Sequence, residues 1–140
     1  MKTQDIFTNN NKEIPFYIYE SFKGAFYDME IEETNNELIT RTLKHPMTDD
    51  EIIKEWEPED ITLGDLVHCI KNVGNKEKYY FSYIKDKSGS RRAVRWSWDG
   101  GGWSVDADVV PNPDGWLGGD EFVSRKPSST LSPDSLTLSP

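Results

Sequence analysis

Apolar and polar side chains alternate along three consecutive stretches between residues 79 and 109. Alternation with a period of two is typical of β-strands that bury one face. A loop over residues 99–102 (DGGG) joins the second and third stretches, and pairing across it puts apolar residues on one face and polar or oppositely charged residues on the other. The predicted pairs are Trp98 with Trp103, Trp96 with Val105, Val94 with Ala107, Arg92 with Val109, Ser97 with Ser104, and Arg95 with Asp106. A slip by one residue would turn the tryptophans towards water, so the pattern specifies this register.

The first of the three stretches is joined to the second by a loop over residues 85–90. Continuing the alternation through this loop predicts three more pairs. They are Tyr83 with Arg92, Phe81 with Val94, and Tyr79 with Trp96. The three strands would then form an antiparallel meander with one shared apolar face. That face contains Tyr79, Phe81, Tyr83, Val94, Trp96, Trp98, Trp103, Val105 and Ala107.

Two segments before the meander carry the signals that begin a helix. Thr48 and Glu51 have the spacing of a capping box, in which each side chain accepts a hydrogen bond from the other residue's amide. Thr62 and Asp65 repeat the arrangement. Apolar residues then recur at helical spacing, and a helix-ending residue follows each segment. The apolar residues are Ile52, Ile53 and Trp56 in the first segment, and Leu63, Leu66, Val67, Ile70 and Val73 in the second; Pro58 and Gly74 are the ends.

The remaining elements are short. Residues 15–20 and 37–43 have the composition and alternation of strands, and residues 121–124 predict a short edge strand. The aromatic spacing in residues 22–34 fits either a strand or a helix, so this segment stays open.

These elements predict an α+β fold, with two short helices packed on one face of an antiparallel β-meander of three or more strands. Residues 14–126 are expected to form a single domain. Residues 1–13 are polar and expected to be mobile. Residues 127–140 are rich in Ser and Pro and are expected to form a disordered tail or a linker.

Charge is distributed unevenly along the chain. The net charge is −9, and the first 60 residues hold 15 acids against six bases. Double-stranded nucleic acid and anionic membranes attract positive surfaces, so neither is expected as a partner. The acidic half instead favours a basic protein partner, with Glu30, Glu32 and Glu33 as candidate contacts. Cys69 is the only cysteine and no secretory leader or long apolar run is present, which predicts a soluble cytoplasmic protein.

Residues suited to catalysis do not form a specific motif. Asp106 and Asp108 share a strand face and could act as general acid and base. However, the predicted pairing of Arg95 with Asp106 favours a charge-paired surface instead. Cys69 follows His68 on a predicted helix, where adjacent side chains point about 100° apart, so His68 is badly placed to activate the thiol. Residues 110–121 resemble a calcium-binding loop only in part, because Val110 stands where the first acidic ligand is needed. We expect no metal and no cofactor.

Aromatic side chains provide the remaining candidates. Trp98, Trp103 and Trp116 lie near glycine-rich loops, where exposed rings could stack on a sugar, on a nucleic-acid base or on a partner's side chain. Arg91, Arg92 and Arg95 form a basic cluster beside Trp96, which could bind an anion or a single-stranded nucleic acid. The alternation favours core positions for Trp96 and Trp98. For Trp103 and Trp116 it favours neither a core nor a surface position.

Three hypotheses follow, in this order. The first is a non-catalytic protein-interaction or regulatory module with an acidic N-terminal half. The second is a small-ligand or carbohydrate-binding domain that uses exposed tryptophans. The third is a small hydrolase that uses Asp106 or Asp108.

Overall fold

A computed structural model describes residues 1–33 and 36–127, and these residues form four helices and six strands. In chain order the elements are α1 (Thr3–Ile6), β1 (Phe16–Ile18), α2 (Glu20–Phe26), β2 (Leu38–Thr42), α3 (Asp49–Trp56), α4 (Leu63–Asn72), β3 (Tyr79–Lys85), β4 (Arg91–Trp98), β5 (Trp103–Val109) and β6 (Glu121–Arg125). The predicted α+β class is confirmed. Within the described residues, no helix is both long and apolar enough to span a membrane.

The six strands form one mixed sheet in the order β1-β5-β4-β3-β6-β2. Strand β3 pairs antiparallel with β4, and β4 pairs antiparallel with β5, as predicted for the meander. The prediction of a purely antiparallel sheet is wrong, because β1 runs parallel to β5 and β6 runs parallel to β3. Strand β6 was also expected at an edge but lies between β3 and β2. Alternation reports which face a residue occupies, and it carries no information about the direction of the neighbouring strand.

The two predicted registers have opposite outcomes. The β4–β5 register is confirmed throughout, from Trp98 opposite Trp103 to Arg92 opposite Val109. The β3–β4 register is wrong by one residue. The structure pairs Tyr83 with Ala93, Phe81 with Arg95, and Tyr79 with Ser97. The residues predicted to share one apolar face therefore lie on two faces of the sheet. Tyr79, Phe81 and Tyr83 of β3 are on the opposite face from Val94 and Trp96.

Burial of β3 on both sides explains the error. Both alternating sets are covered, since Tyr80 and Ile84 are buried on one face and Phe81 and Tyr83 on the other. A strand that is apolar on both faces does not show in its pattern which set points where.

The sheet has a core on each face. The first core packs residues of α1, α2 and α4 on the face that carries Val94, Trp96 and Val105. The second core packs α3 and the loop over residues 110–120 on the other face; it contains Leu43, Met47, Ile52, Phe81, Tyr83, Ala93, Trp116 and Phe122. The prediction that both helices cover one face is therefore wrong: Ile52 of α3 belongs to the second core, and Leu66 of α4 belongs to the first.

The helix starts agree with the sequence prediction. Thr48 Oγ1 accepts from the Glu51 amide at 3.2 Å, and the Glu51 carboxylate accepts from the Thr48 amide at 2.9 Å. Thr62 and Asp65 make the same pair of bonds at 3.1 and 3.0 Å. Capping depends on residues three apart, so it is readable without knowledge of the tertiary fold.

The N-terminal segments add side chains to the first core. Residues 1–13, expected to be mobile, include α1 and the fully buried side chains of Thr3 and Phe7. Part of the open segment 22–34 belongs to helix α2, which ends at Phe26. Of the predicted tail over residues 127–140, all but Pro127 lies outside the described residues.

Candidate functional site

A buried carboxylate holds the 110–120 loop on the second face of the sheet. Asp49, the first residue of α3, is 0% exposed. Its oxygens accept hydrogen bonds from the Tyr83 hydroxyl, the Trp116 indole Nε1 and the Asn112 amide, each at 2.6 Å. Burial, together with the bond to Asp49, raises the pKa of Tyr83 far above its ordinary value, so the hydroxyl stays protonated and keeps donating. The 110–120 loop is thereby tied to both α3 and β3.

Beside this loop, the second face of the sheet is open. We call this area the tyrosine trough, and it is formed by two rows of side chains that cross the strands. The first row is Tyr79, Ser97, Ser104 and Tyr17, and the second is Phe81, Arg95 and Asp106, with Tyr19 next to the end of β1. The small side chains Ser97 and Ser104 form the floor of the trough, and larger tyrosine rings stand around it. The exposed fraction is 45% for Tyr17, 52% for Tyr19 and 66% for Tyr79.

One wall of the trough is built by the 110–120 loop. Trp116 stacks on Phe81 with ring centroids 4.1 Å apart and an angle of 8° between the rings. The guanidinium of Arg95 lies 5.9 Å from the centroid of the Trp116 ring. Together with Asp120 and Tyr19, these residues enclose a cleft of about 220 Å³.

An ion pair forms the polar part of the trough. Arg95 donates to both carboxylate oxygens of Asp106, from Nε at 3.0 Å and from Nη2 at 2.6 Å. Its Nε is also 3.4 Å from a carboxylate oxygen of Asp108. Burial raises the pKa of Asp108 although Arg95 opposes the shift, and burial likewise raises the pKa of Asp120 against a hydrogen bond from the Leu117 amide. The predicted Arg95–Asp106 pair is confirmed.

The candidate tryptophans lie deeper than an exposed binding site requires. Trp103 and Trp116 are 5% and 4% exposed, so most of each ring is in a core. Trp98 is partly buried, meets Trp103 edge-on with ring centroids 5.6 Å apart, and is covered by the ammonium of Lys76 at 3.9 Å from its ring centroid.

Among the described residues, the exposed aromatic side chains are instead three tyrosines that were not candidates from the sequence. Tyr79 was assigned to a buried face, and that assignment failed with the β3–β4 register. Tyr17 and Tyr19 alternate with the buried Phe16 and Ile18, and this alternation is the signal that could have found them.

The candidate acids Glu30 and Glu32 line a second depression, which we call the acidic groove. It has a volume of about 560 Å³ and an apolar floor. Its lining residues are Met29, Glu30, Glu32, Pro58, Glu59, Asp60, Ile61, Thr62, Leu63, Ile84, Lys85, Arg91 and Arg125. Glu33 is exposed next to Glu32 in the chain. The other basic candidate, Arg91, lies here rather than beside Arg95, and its Nη2 is 2.7 Å from the carboxylate of Asp60.

Two groups considered for catalysis, Cys69 and Asp106, are respectively buried and ion-paired. Burial, assisted by the nearby Asp65 carboxylate, raises the pKa of Cys69 to about 12, so the thiol is protonated at neutral pH. Asp106 is held in its double hydrogen bond with Arg95. Among the described residues, no three His, Cys, Asp or Glu side chains form a group that could hold a metal ion.

No protein-family model, curated protein or solved structure matches this chain. Its function is therefore inferred from the geometry of its own residues.

Proposed function

We propose that this chain is a non-catalytic protein-interaction module that binds a basic segment of a partner protein in the acidic groove. The observation that carries the proposal is the convergence of two acidic stretches on one apolar depression. Residues 28–33 contain four acids and no base, and residues 50–60 contain six acids and one base. Members of both stretches line the groove.

The floor and the rim of the groove supply different parts of the binding free energy. Ile61, Leu63 and Ile84 are at most 5% exposed, and they form an apolar base against which a partner side chain can bury apolar area. Such burial is the main favourable term in protein association.

The rim of the groove offers acidic side chains. Glu30, Glu32 and Glu59 are exposed, and Glu30 lies 3.4 Å from the N-terminal ammonium of Met1. Asp60 is paired with Arg91, and the groove lining also includes Lys85 and Arg125. Exposed negative charges of this kind raise the rate of association with a positively charged partner and disfavour a negatively charged one. The groove therefore suits a segment in which lysine or arginine alternates with apolar residues.

A comparative capture experiment tests this function. The full chain, a variant with Glu30→Gln, Glu32→Gln and Glu59→Gln, and a control with Glu13→Gln, Glu20→Gln and Glu77→Gln would each be immobilised and incubated with lysate of the source organism. The control acids are exposed and do not line the groove. Bound proteins would be eluted by increasing salt and quantified by mass spectrometry.

We expect at least one basic protein that binds the wild type and the control and is depleted on the groove variant. Three exposed charge pairs at about 0.5 kcal/mol each correspond to roughly a tenfold loss of affinity. Equal retention on all three baits, or equal depletion from both variants, would refute the acidic groove as the binding site.

A further inference from the structure

We propose that the tyrosine trough is a binding site for a neutral pyranose sugar, either free or at the end of a glycan. The trough is a second site, since its cleft shares no described lining residue with the acidic groove. Sugar binding in the trough would therefore be a function separate from partner binding in the acidic groove, and separate experiments test the two sites.

The shape of the trough fits one flat ring. Tyr79 and Tyr17 occupy the same row on β3 and β1, with only Ser97 and Ser104 between them. Neighbouring strands are about 4.8 Å apart, so three intervals separate the flanking backbones by roughly 14 Å. The enclosed part of the trough has a volume of about 220 Å³. This is below the range of roughly 300–1,000 Å³ that is usual for drug-sized ligands, and it suits a single sugar ring.

Exposed rings give the trough apolar faces at fixed positions. Tyr19 and Tyr79 are more than half exposed although both follow or belong to ordered strands. The Tyr17 ring lies close to the glycine loop between β4 and β5. A Cβ atom on Gly102 would be only 3.2 Å from this ring, so the absence of a side chain there leaves room for it. A tyrosine ring presents a large rigid contact area at little conformational cost. The C–H faces of a pyranose ring offer the matching apolar surface.

The polar groups of the trough match hydroxyl groups better than ions. A sugar hydroxyl both donates and accepts, and the trough offers donors on Arg95, acceptors on Asp106 and hydroxyls on Ser97 and Ser104. The Arg95–Asp106 pair has a fixed bidentate geometry, with two bonds of 3.0 and 2.6 Å.

The charges of the trough disfavour both kinds of ion. An anion that approaches Arg95 meets Asp106 and Asp120 in the same cleft. A cation that approaches Asp106 meets Arg95 directly. A neutral polyhydroxylated ring is the ligand class that uses both partners without leaving a charge unpaired.

Ligand-detected saturation-transfer NMR on the full chain tests the site. The probes are methyl α-D-glucopyranoside, methyl β-D-galactopyranoside and methyl α-D-mannopyranoside. Inorganic phosphate and n-butylamine are the charged comparison ligands, and their binding would be measured by titration. A glycan array then distinguishes a free sugar from a glycan end as the source. The variants are Tyr79→Ala and Tyr19→Ala, and the control is Val73→Ala, another exposed apolar side chain that does not line the trough.

We expect at least one neutral sugar to bind, with roughly tenfold weaker affinity in each tyrosine variant and unchanged affinity in the control. Both tyrosines are mostly exposed, so their truncation leaves the cores intact, which circular dichroism would verify. The proposal is overturned if no neutral sugar binds, if binding survives in both tyrosine variants, or if phosphate or butylamine binds more tightly than every sugar.

Discussion

Asp49 lies where α3, β3 and the 110–120 loop meet, and it accepts one hydrogen bond from β3 and two from the loop. An unpaired carboxylate would be costly in this dry position, whereas one with several donors is tolerated. Local capping accounts for an acid at the start of a helix, and it does not account for the burial of that acid. The position of Asp49 is therefore a tertiary feature.

Replacing Tyr83 with Phe should destabilise the protein by about 2 kcal/mol, since it keeps the ring and removes one donor from a buried carboxylate. Chemical denaturation of wild type and variant at neutral pH would measure the difference in unfolding free energy. Tyr79→Phe is the matched control on the same strand, and its change should stay below about 0.5 kcal/mol because Tyr79 is exposed. Similar values for the two variants would show that the Tyr83–Asp49 bond contributes little.

Single residues were predictable where the partner is close in sequence. The pairing of Arg95 with Asp106 follows from one tight loop and a complementary pattern, and it is confirmed. Trp116 could not be placed in this way, because its stacking on Phe81 and its bond to Asp49 join residues that are 35 and 67 positions apart. Composition showed that aromatic rings were abundant, and only the packing showed which rings remain exposed.

At the scale of elements, the loop between β3 and β4 decides the register that alternation left undetermined. The Asp86 carboxylate accepts from the amides of Ser88 and Ser90 at 2.8 and 3.0 Å, and from Arg92 Nε at 2.8 Å. Gly89 has φ +83°, a conformation that side chains rarely adopt. This turn fixes Lys85 opposite Arg91 and so sets every later pair.

Replacing Asp86 with Asn should lower the unfolding free energy by about 2 kcal/mol at pH 7, because the bond from the Arg92 cation is lost. Burial alone would raise the pKa of Asp86, but the bonds from Arg92, Ser90 and Ser88 outweigh it and hold the pKa below its ordinary 3.8. A folded-state pKa that is lower than the unfolded one stabilises the fold at higher pH, and this contribution is lost as the pH falls through the folded value.

Urea unfolding at pH 7 and in steps below pH 3.8 would therefore show a difference between wild type and Asp86→Asn that shrinks in acid. Asp99→Asn, in the exposed loop of the other hairpin, is the control and should have little effect at either pH. A difference that is independent of pH would mean that the Asp86–Arg92 charge pair does not stabilise the turn.

At the scale of the whole molecule, the sheet separates two cores that are built by different helices. Ile52 of α3 is 0% exposed in the second core, and Ile70 of α4 is 5% exposed in the first. Covering both faces explains why β3 carries buried residues along almost its full length. The tyrosine trough is an area of the second face that these elements leave uncovered.

The variants Ile52→Val and Ile70→Val should each cost about 1 kcal/mol, and the double variant about 2 kcal/mol. Side chains on opposite faces share no packing partner in either cluster, so their effects should add to within roughly 0.5 kcal/mol. Denaturant unfolding of the wild type, the two single variants and the double variant would give the four unfolding free energies of this double-mutant cycle. A coupling above about 1 kcal/mol would contradict two separately packed cores.

By itself, the sequence determined what depends on short separations. The two capping boxes, the β4–β5 register and the α+β class follow from spacings of a few residues or from one tight loop, where local chemistry leaves a single good solution. Only the tertiary structure decided the parallel pairings of β1 and β6, the face that each helix covers, and the register of the doubly buried β3. These depend on contacts between distant segments, for which a hydrophobic pattern states that a residue is buried without stating against what. The acidic groove and the tyrosine trough are products of those long-range choices, since each combines residues that chain folding alone brings together.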